Sequence, residues 1–368
     1  MGGCCGSFNN GPNKSNNNSP NKSNNNSPNE NNNNNSPNEN NNNSIKELNN
    51  NSTKELNNNG PNESNNNGPK IKIRYDQFEE IKTIKEHSSN VVSLYELNNK
   101  KIISGSYDKT IKLWDQNTFS CEQTIVEKNI IKCILEFVPG MLLIGSDSEN
   151  IHLWDINSPH DIIFEFKGHL LAINCLVKCD DNFFASASND TDIRIWNYFK
   201  KECDKVLSGH DSNIFCLIKL KNNKLCSGSA DKTIKIWNYI KNECEITLTE
   251  HNCWIKSLLE SDDENILSGG DDGNIKIWHN YKPIKVLIGH NNSVKFLCKI
   301  NKDYIASASF DNTIKIWNLN EYRCVQTLES HLDKVIYLLY HSNGFLISCS
   351  NDKTIKIWQH KLEKEKNK

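Results

Sequence analysis

A histidine, a serine and an aspartate recur together along this chain, the residue types from which a hydrolytic relay is built. The sets are His87, Ser104 and Asp108; His169, Ser186 and Asp190; His210, Ser227 and Asp231; His251, Ser268 and Asp272; His290, Ser307 and Asp311; and His331, Ser348 and Asp352. A hydrolase needs one exposed nucleophile facing an oxyanion hole. Six equivalent copies at the same offsets have no such use. Repetition points instead to a structural task, satisfying buried polar groups that would otherwise cost several kcal/mol. No P-loop, no GxGxxG after a strand and no HExxH is present. No enzymatic activity, cofactor or small-molecule substrate is expected.

The sets belong to longer repeats. The run SGSADKTIKIWN, residues 227–238, has close copies ending at Asp115, Asn197, His279, Asn318 and Gln359, and a worn copy ending at Asp155. Seven tryptophans close the units: Trp114, Trp154, Trp196, Trp237, Trp278, Trp317 and Trp358, at intervals of 40, 42, 41, 41, 39 and 41 residues. So regular a period is an architecture. Within a unit, Thr233 to Trp237 alternates faces as a strand does, with Ile234 and Ile236 on one side. Asp231-Lys232 suits a tight turn, and 214–220 and 244–248 read as further strands. Four short antiparallel strands per unit is the plan of a propeller blade.

These units resemble WD repeats, and residues 77–361 resemble a seven-bladed β-propeller, an all-β fold. The resemblance implies a hydrogen-bonded relay in each blade: a His in the leading loop, a Ser on the second strand, an Asp in the next turn, and the Trp on the third strand. Six blades carry that set. The second departs, with Lys128 near the expected His, Ile144 for the Ser and Ser148 for the Asp. It is expected to be looser, with a shortened leading loop. The last unit lacks a fourth strand, which residues 79–85 would supply beside 353–360, leaving 362–368 as a charged tail.

The same resemblance places the leading loops and the Asp turns on one face, which commonly binds peptides or proteins. Two positions per blade point outward there, three residues after the His and just before the Asp. Large or charged side chains gather at Trp254, Asp271, Phe310, Lys334 and Tyr107, an arc through blades five, six, seven and one. Exposed aromatic residues cluster at interaction hot spots, so this arc is the expected partner-binding patch.

Composition narrows the remaining choices. A formal net charge of −2 and only three arginines (Arg74, Arg194 and Arg323) give no reason to expect nucleic acid. No run of about 18 apolar residues could span a bilayer. The 14 cysteines show no paired CxxC motifs, so no metal site is expected, and they read as reduced apolar side chains.

The chain opens MGGCCGS, and residues 1–8 form a candidate lipidation segment. Gly2 would take a myristoyl chain, although Gly6 stands where that pattern prefers Ser or Thr. One such chain gives marginal membrane binding, and adjacent Cys4 and Cys5 would supply the second acyl signal. Residues 9–70 are mostly asparagine, too poor in apolar side chains to offset the entropy of ordering. They read as a disordered linker with a reach of roughly 40–50 Å. The resulting expectation is an interaction scaffold with protein or peptide partners, tethered to the cytoplasmic face of a membrane. The alternative is a soluble substrate receptor or regulatory subunit of a ubiquitin-ligase or kinase complex.

Overall fold

In five blades the third strand alternates buried and half-buried residues up to its tryptophan: in Ile234–Asn238 the two isoleucines and Trp237 are buried and Lys235 is half-buried, whereas in blades two and seven His152 and Lys356 are buried too. Pairing with the fourth strand Glu243–Leu248 slips by one residue between Ile236 and Trp237, which sets Cys244 opposite the indole. The extra residue, Glu245, lies on the fourth strand, and strand alternation puts the tryptophan on the blade face opposite the isoleucines. The second strands are buried throughout, as in Leu225–Ser229, because both faces of each blade are covered by neighbours. Small residues are required there. A Cβ on Gly228 would come within 2.6 Å of Ile255 in the next blade.

In the computed structural model, the described residues are 71–158 and 161–364. The expected lipidation segment and asparagine-rich linker lie outside them. The described residues form 28 strands in seven four-stranded antiparallel sheets. Six sheets take four consecutive strands each. The seventh combines Val335–Tyr340, Leu346–Ser350 and Ile355–Lys364 with the N-terminal strand Ile71–Ile84. That closing strand is longer than residues 79–85, and its partner reaches Lys364, into the stretch read as a tail. Innermost strands touch from blade to blade, including Val335–Tyr340 against Val91–Glu96, so the ring is closed.

The apolar core lies between blades. Trp237, for example, packs with Ile193, Ile214 and Leu225, drawn from blades three and four. Side chains also lock the closure. Gln326 of blade six accepts the Phe78 amide at 2.6 Å and donates to its carbonyl at 2.8 Å. Lys356, nearly buried, meets Glu80 at 2.9 Å.

The turn before each third strand follows from its residues. Asp231 Oδ1 accepts the Thr233 amide at 2.8 Å and its hydroxyl at 2.7 Å, and Lys232 between them adopts φ 71°. In blade five this place is Gly273, at φ 82°, where a Cβ would strike the His290 carbonyl at 2.6 Å.

Candidate functional site

Five blades hold the full relay. In blade four Trp237 Nε1 donates to Ser227 Oγ at 2.8 Å, Ser227 Oγ lies 2.7 Å from His210 Nε2, and His210 Nδ1 lies 2.6 Å from Asp231. The ionised carboxylate only accepts, so the ring proton sits on Nδ1 and Nε2 takes the serine hydrogen. The sets of blades one, three, six and seven repeat this geometry: His87 with Asp108 at 2.9 Å, His169 with Asp190 at 2.8 Å, His290 with Asp311 at 2.7 Å and His331 with Asp352 at 2.8 Å. Ser104, Ser186, Ser307 and Ser348 join those histidines to Trp114, Trp196, Trp317 and Trp358. Despite their partial burial, the hydrogen bonds of Thr110 and His87 pull the Asp108 carboxyl down to about 2. All five serines are fully buried, so none offers a nucleophile to a substrate.

Blade five breaks the chain of bonds. His251 keeps Ser268 at 2.7 Å and Trp278 keeps Ser268 at 2.8 Å. Asp272, however, is exposed and accepts the Asn274 amide at 3.0 Å, while Cys253 Sγ stands 4.0 Å from His251 Nδ1. Without a carboxylate against it, buried His251 has its pKa pushed down to about 4.

Blade two corrects the sequence assignment. Glu127, not Lys128, occupies the histidine place, 27 residues before Trp154 as His210 is before Trp237. Its buried carboxylate accepts the Trp154 indole N–H and lies 3.0 Å from His152 Nδ1. An anion from the leading loop thus replaces both the serine and the histidine. The loop is short, residues 127–130 against six residues in the other blades, and the fourth strand Phe164–Phe166 is half the usual length.

On the face of the leading loops, a backbone hydrogen bond joins the two outward positions of every blade, such as Asp271 N to Trp254 O at 2.9 Å and Phe310 N to Ser293 O at 3.0 Å. Trp254 is 46% exposed and Tyr107 40%, Asp271 and Lys334 are exposed, and Phe310 is half-buried beneath the Lys334 ammonium, 5.1 Å from its ring. Tyr107, Phe310 and Lys334 line one cavity of about 380 Å³; Trp254 and Asp271 lie outside its wall. Trp254 pairs instead with Phe215, ring centroids 6.0 Å apart, and Lys256 Nζ sits 3.5 Å from the Phe215 centroid and 4.5 Å from that of Trp254.

Sequence reading missed the next ring inward. Five residues after the histidine place stand Val92, Lys132, Asn174, Phe215, Lys256, Lys295 and Ile336. They are two residues along the strand from the outward position, on the same side by strand alternation, which is the signal that could have found them. Cys133, Cys175 and Cys216 follow one residue later and line the channel wall. Burial raises the pKa of all three thiols, which keeps them protonated.

The pattern of the WD domain, G-beta repeat family matches residues 78–115, 161–197, 201–238, 242–279, 281–318 and 322–359, more than half the chain. The chain belongs to the WD40 repeat family. Blade two, where Glu127 replaces the relay, is the one without a match. Among curated relatives, the chain is 31% identical over 105 residues to the "Uncharacterized WD repeat-containing protein C126.01c" of Schizosaccharomyces pombe, covering 27% of this chain and 28% of that protein. It is 32% identical over 104 residues to human Pre-mRNA-processing factor 17, covering 27% and 18% respectively. It is 29% identical over 114 residues to human F-box and WD repeat domain containing protein 10B, covering 30% and 13%. The aligned segment covers less than a third of each relative's length.

Proposed function

We propose that this protein is a non-enzymatic scaffold whose propeller holds a protein partner on the face of the leading loops. The observation that carries this reading is the arc of large side chains, exposed Trp254, Lys334 and Tyr107 with half-buried Phe310, on a closed ring. Aromatic side chains contribute most of the binding energy in such patches. The repeated Ser–His–Asp sets are consumed in holding blades together, which leaves them no part in chemistry. Proximity labelling from the wild-type protein and from a Trp254→Ala/Phe310→Ala variant tests the patch. Partners should drop out of the variant's set, and identical sets would overturn the assignment.

The N-terminal MGGCC gives this scaffold a place to work. Myristoylated Gly2 with acylated Cys4 and Cys5 would hold it at the cytoplasmic face of a membrane, and tethering raises the effective concentration of its partner. Cell fractionation of a Gly2→Ala variant checks this, because release to the cytosol is required. Likeness to an F-box and WD repeat protein favours a soluble substrate receptor as the second reading, though the matching segment covers 13% of that relative.

A further inference from the structure

The ring one step inward from the partner patch carries charge that no ion pair neutralises among the described residues. Lys132, Lys256 and Lys295 come from blades two, five and six and line one cavity of about 240 Å³ at the channel mouth. All three are half-buried. Among the described residues, no carboxylate lies within ion-pair distance of any of them, and none lines the cavity. Lys132 donates to Asn174 Oδ1 at 3.3 Å, and Lys256 rests on the Phe215 and Trp254 rings. Lys295 has no acceptor among the described residues. Lys132 and Lys295 also line the neighbouring cavity, where Lys334 adds a fourth ammonium, again with no carboxylate in the wall.

Partly buried cations without counter-ions are costly, and their clustering in a chain of net charge −2 is not a by-product of general basicity. The cost is visible in their acid strength. Burial and the nearby Lys295 bring Lys256 down to about 8, while burial and Lys132 depress Lys295. Asp271 on the rim offsets part of this at Lys256 without touching it.

We propose that the channel mouth ringed by Lys132, Lys256 and Lys295 seats the phosphate of a phosphorylated peptide segment of the partner protein, with Trp254 and Phe310 holding the apolar side chains that flank it. This rests on the scaffold reading and names its partner's chemistry. A carboxylate brings one charge to three ammonium groups. A phosphomonoester brings about 1.5–2 charges and three acceptor oxygens at pH 7. Lysine, a compact charge with rotatable donors, suits such a group. A cavity of about 240 Å³ has room for a single side chain and not for a nucleic-acid duplex. The cation–π pair of Lys256 with Trp254 then couples the anion site to the apolar rim.

The test uses the full chain and a degenerate peptide library centred on phosphoserine or phosphothreonine, alongside the same library with serine, threonine or glutamate at the centre. Fluorescence anisotropy should show the phosphorylated library binding at least tenfold tighter than either control, with affinity falling as salt rises. Lys256→Met/Lys295→Met should abolish that preference, while Lys241→Met, on a turn at the opposite face, should leave it intact. Circular dichroism and the thermal midpoint confirm that each variant folds. Equal binding of all libraries, no binding, or an undiminished preference in the double variant would overturn the proposal. So would binding to vesicles of phosphatidylserine, or to inositol hexakisphosphate, without any binding of the phosphorylated library. If labelling still depends on Trp254 and Phe310 while no phosphate preference appears, the scaffold reading stands and the phosphate site alone falls.

Discussion

The carboxylate of Glu127 accepts the indole hydrogen of Trp154, the contact that a serine hydroxyl makes in the other six blades. One residue from the leading loop thereby anchors the tryptophan and also meets His152 at 3.0 Å. Blade two has thus exchanged its relay for a different closed polar set.

Removing that carboxylate strands two buried groups. Glu127→Ala should cost about 1–3 kcal/mol through the unpaired Trp154 N–H and His152 ring. Urea denaturation monitored by tryptophan fluorescence measures it. A Glu127→His/Ile144→Ser/Ser148→Asp variant, which restores the residues of the regular set, should recover part of the loss.

The intact relays give the opposite comparison. Ser227 is shared by Trp237 and His210, at 2.8 and 2.7 Å. Ser227→Ala leaves both without their partner and should destabilise by about 2–4 kcal/mol. Trp237→Phe keeps the ring's bulk and should cost less than Trp237→Ala, which at about 3–5 kcal/mol opens a cavity.

Blade five predicts a pH dependence. His251 has its pKa lowered to about 4 in the fold, first by burial and then by the field of Lys276. Below its ordinary value near 6.5 the unfolded chain binds the proton and the folded one does not. Stability from this group is therefore complete above pH about 6.5 and declines as pH falls toward 4, by about 2–4 kcal/mol. Urea midpoints at pH 7.5 and pH 5 should differ in the wild type and differ less in His251→Gln. Asp108 and Asp190, both held at about 2, add a second loss between pH about 4 and 2.

Ring closure predicts where the chain can be cut. Removing residues 1–68 should leave the propeller's thermal midpoint unchanged. Removing residues 1–84 takes away the strand Ile71–Ile84 and bares Ile355–Lys364 as an open edge. Size-exclusion chromatography should then show association or loss of the folded monomer.

The repeat period, the blade plan and the residues of the relay were legible because each rests on residue type at fixed spacing. Lys128 marked only the neighbourhood of the histidine place, because Glu127 does not look like a histidine substitute until its reach to Trp154 is seen. Asp272 matches its counterparts in type and offset, yet its carboxylate takes the Asn274 amide and makes no bond to His251, which no spacing reveals. The lysine ring lay unread for a related reason. Lys132, Lys256 and Lys295 are ordinary strand lysines one blade at a time, and only the circle brings them to a common mouth.

Joining the first strand to the last also has a consequence for synthesis. The Glu80–Lys356 pair spans 276 residues of chain. At the usual pace of a ribosome, about 5–20 residues per second, the emerging strand waits about 15–55 s for its partner. During that interval its backbone edge and Phe78 are exposed on a nascent chain whose other blades are already forming. The extremely polar asparagine stretch just upstream is then the immediate neighbour of the one strand that must not pair early with anything else.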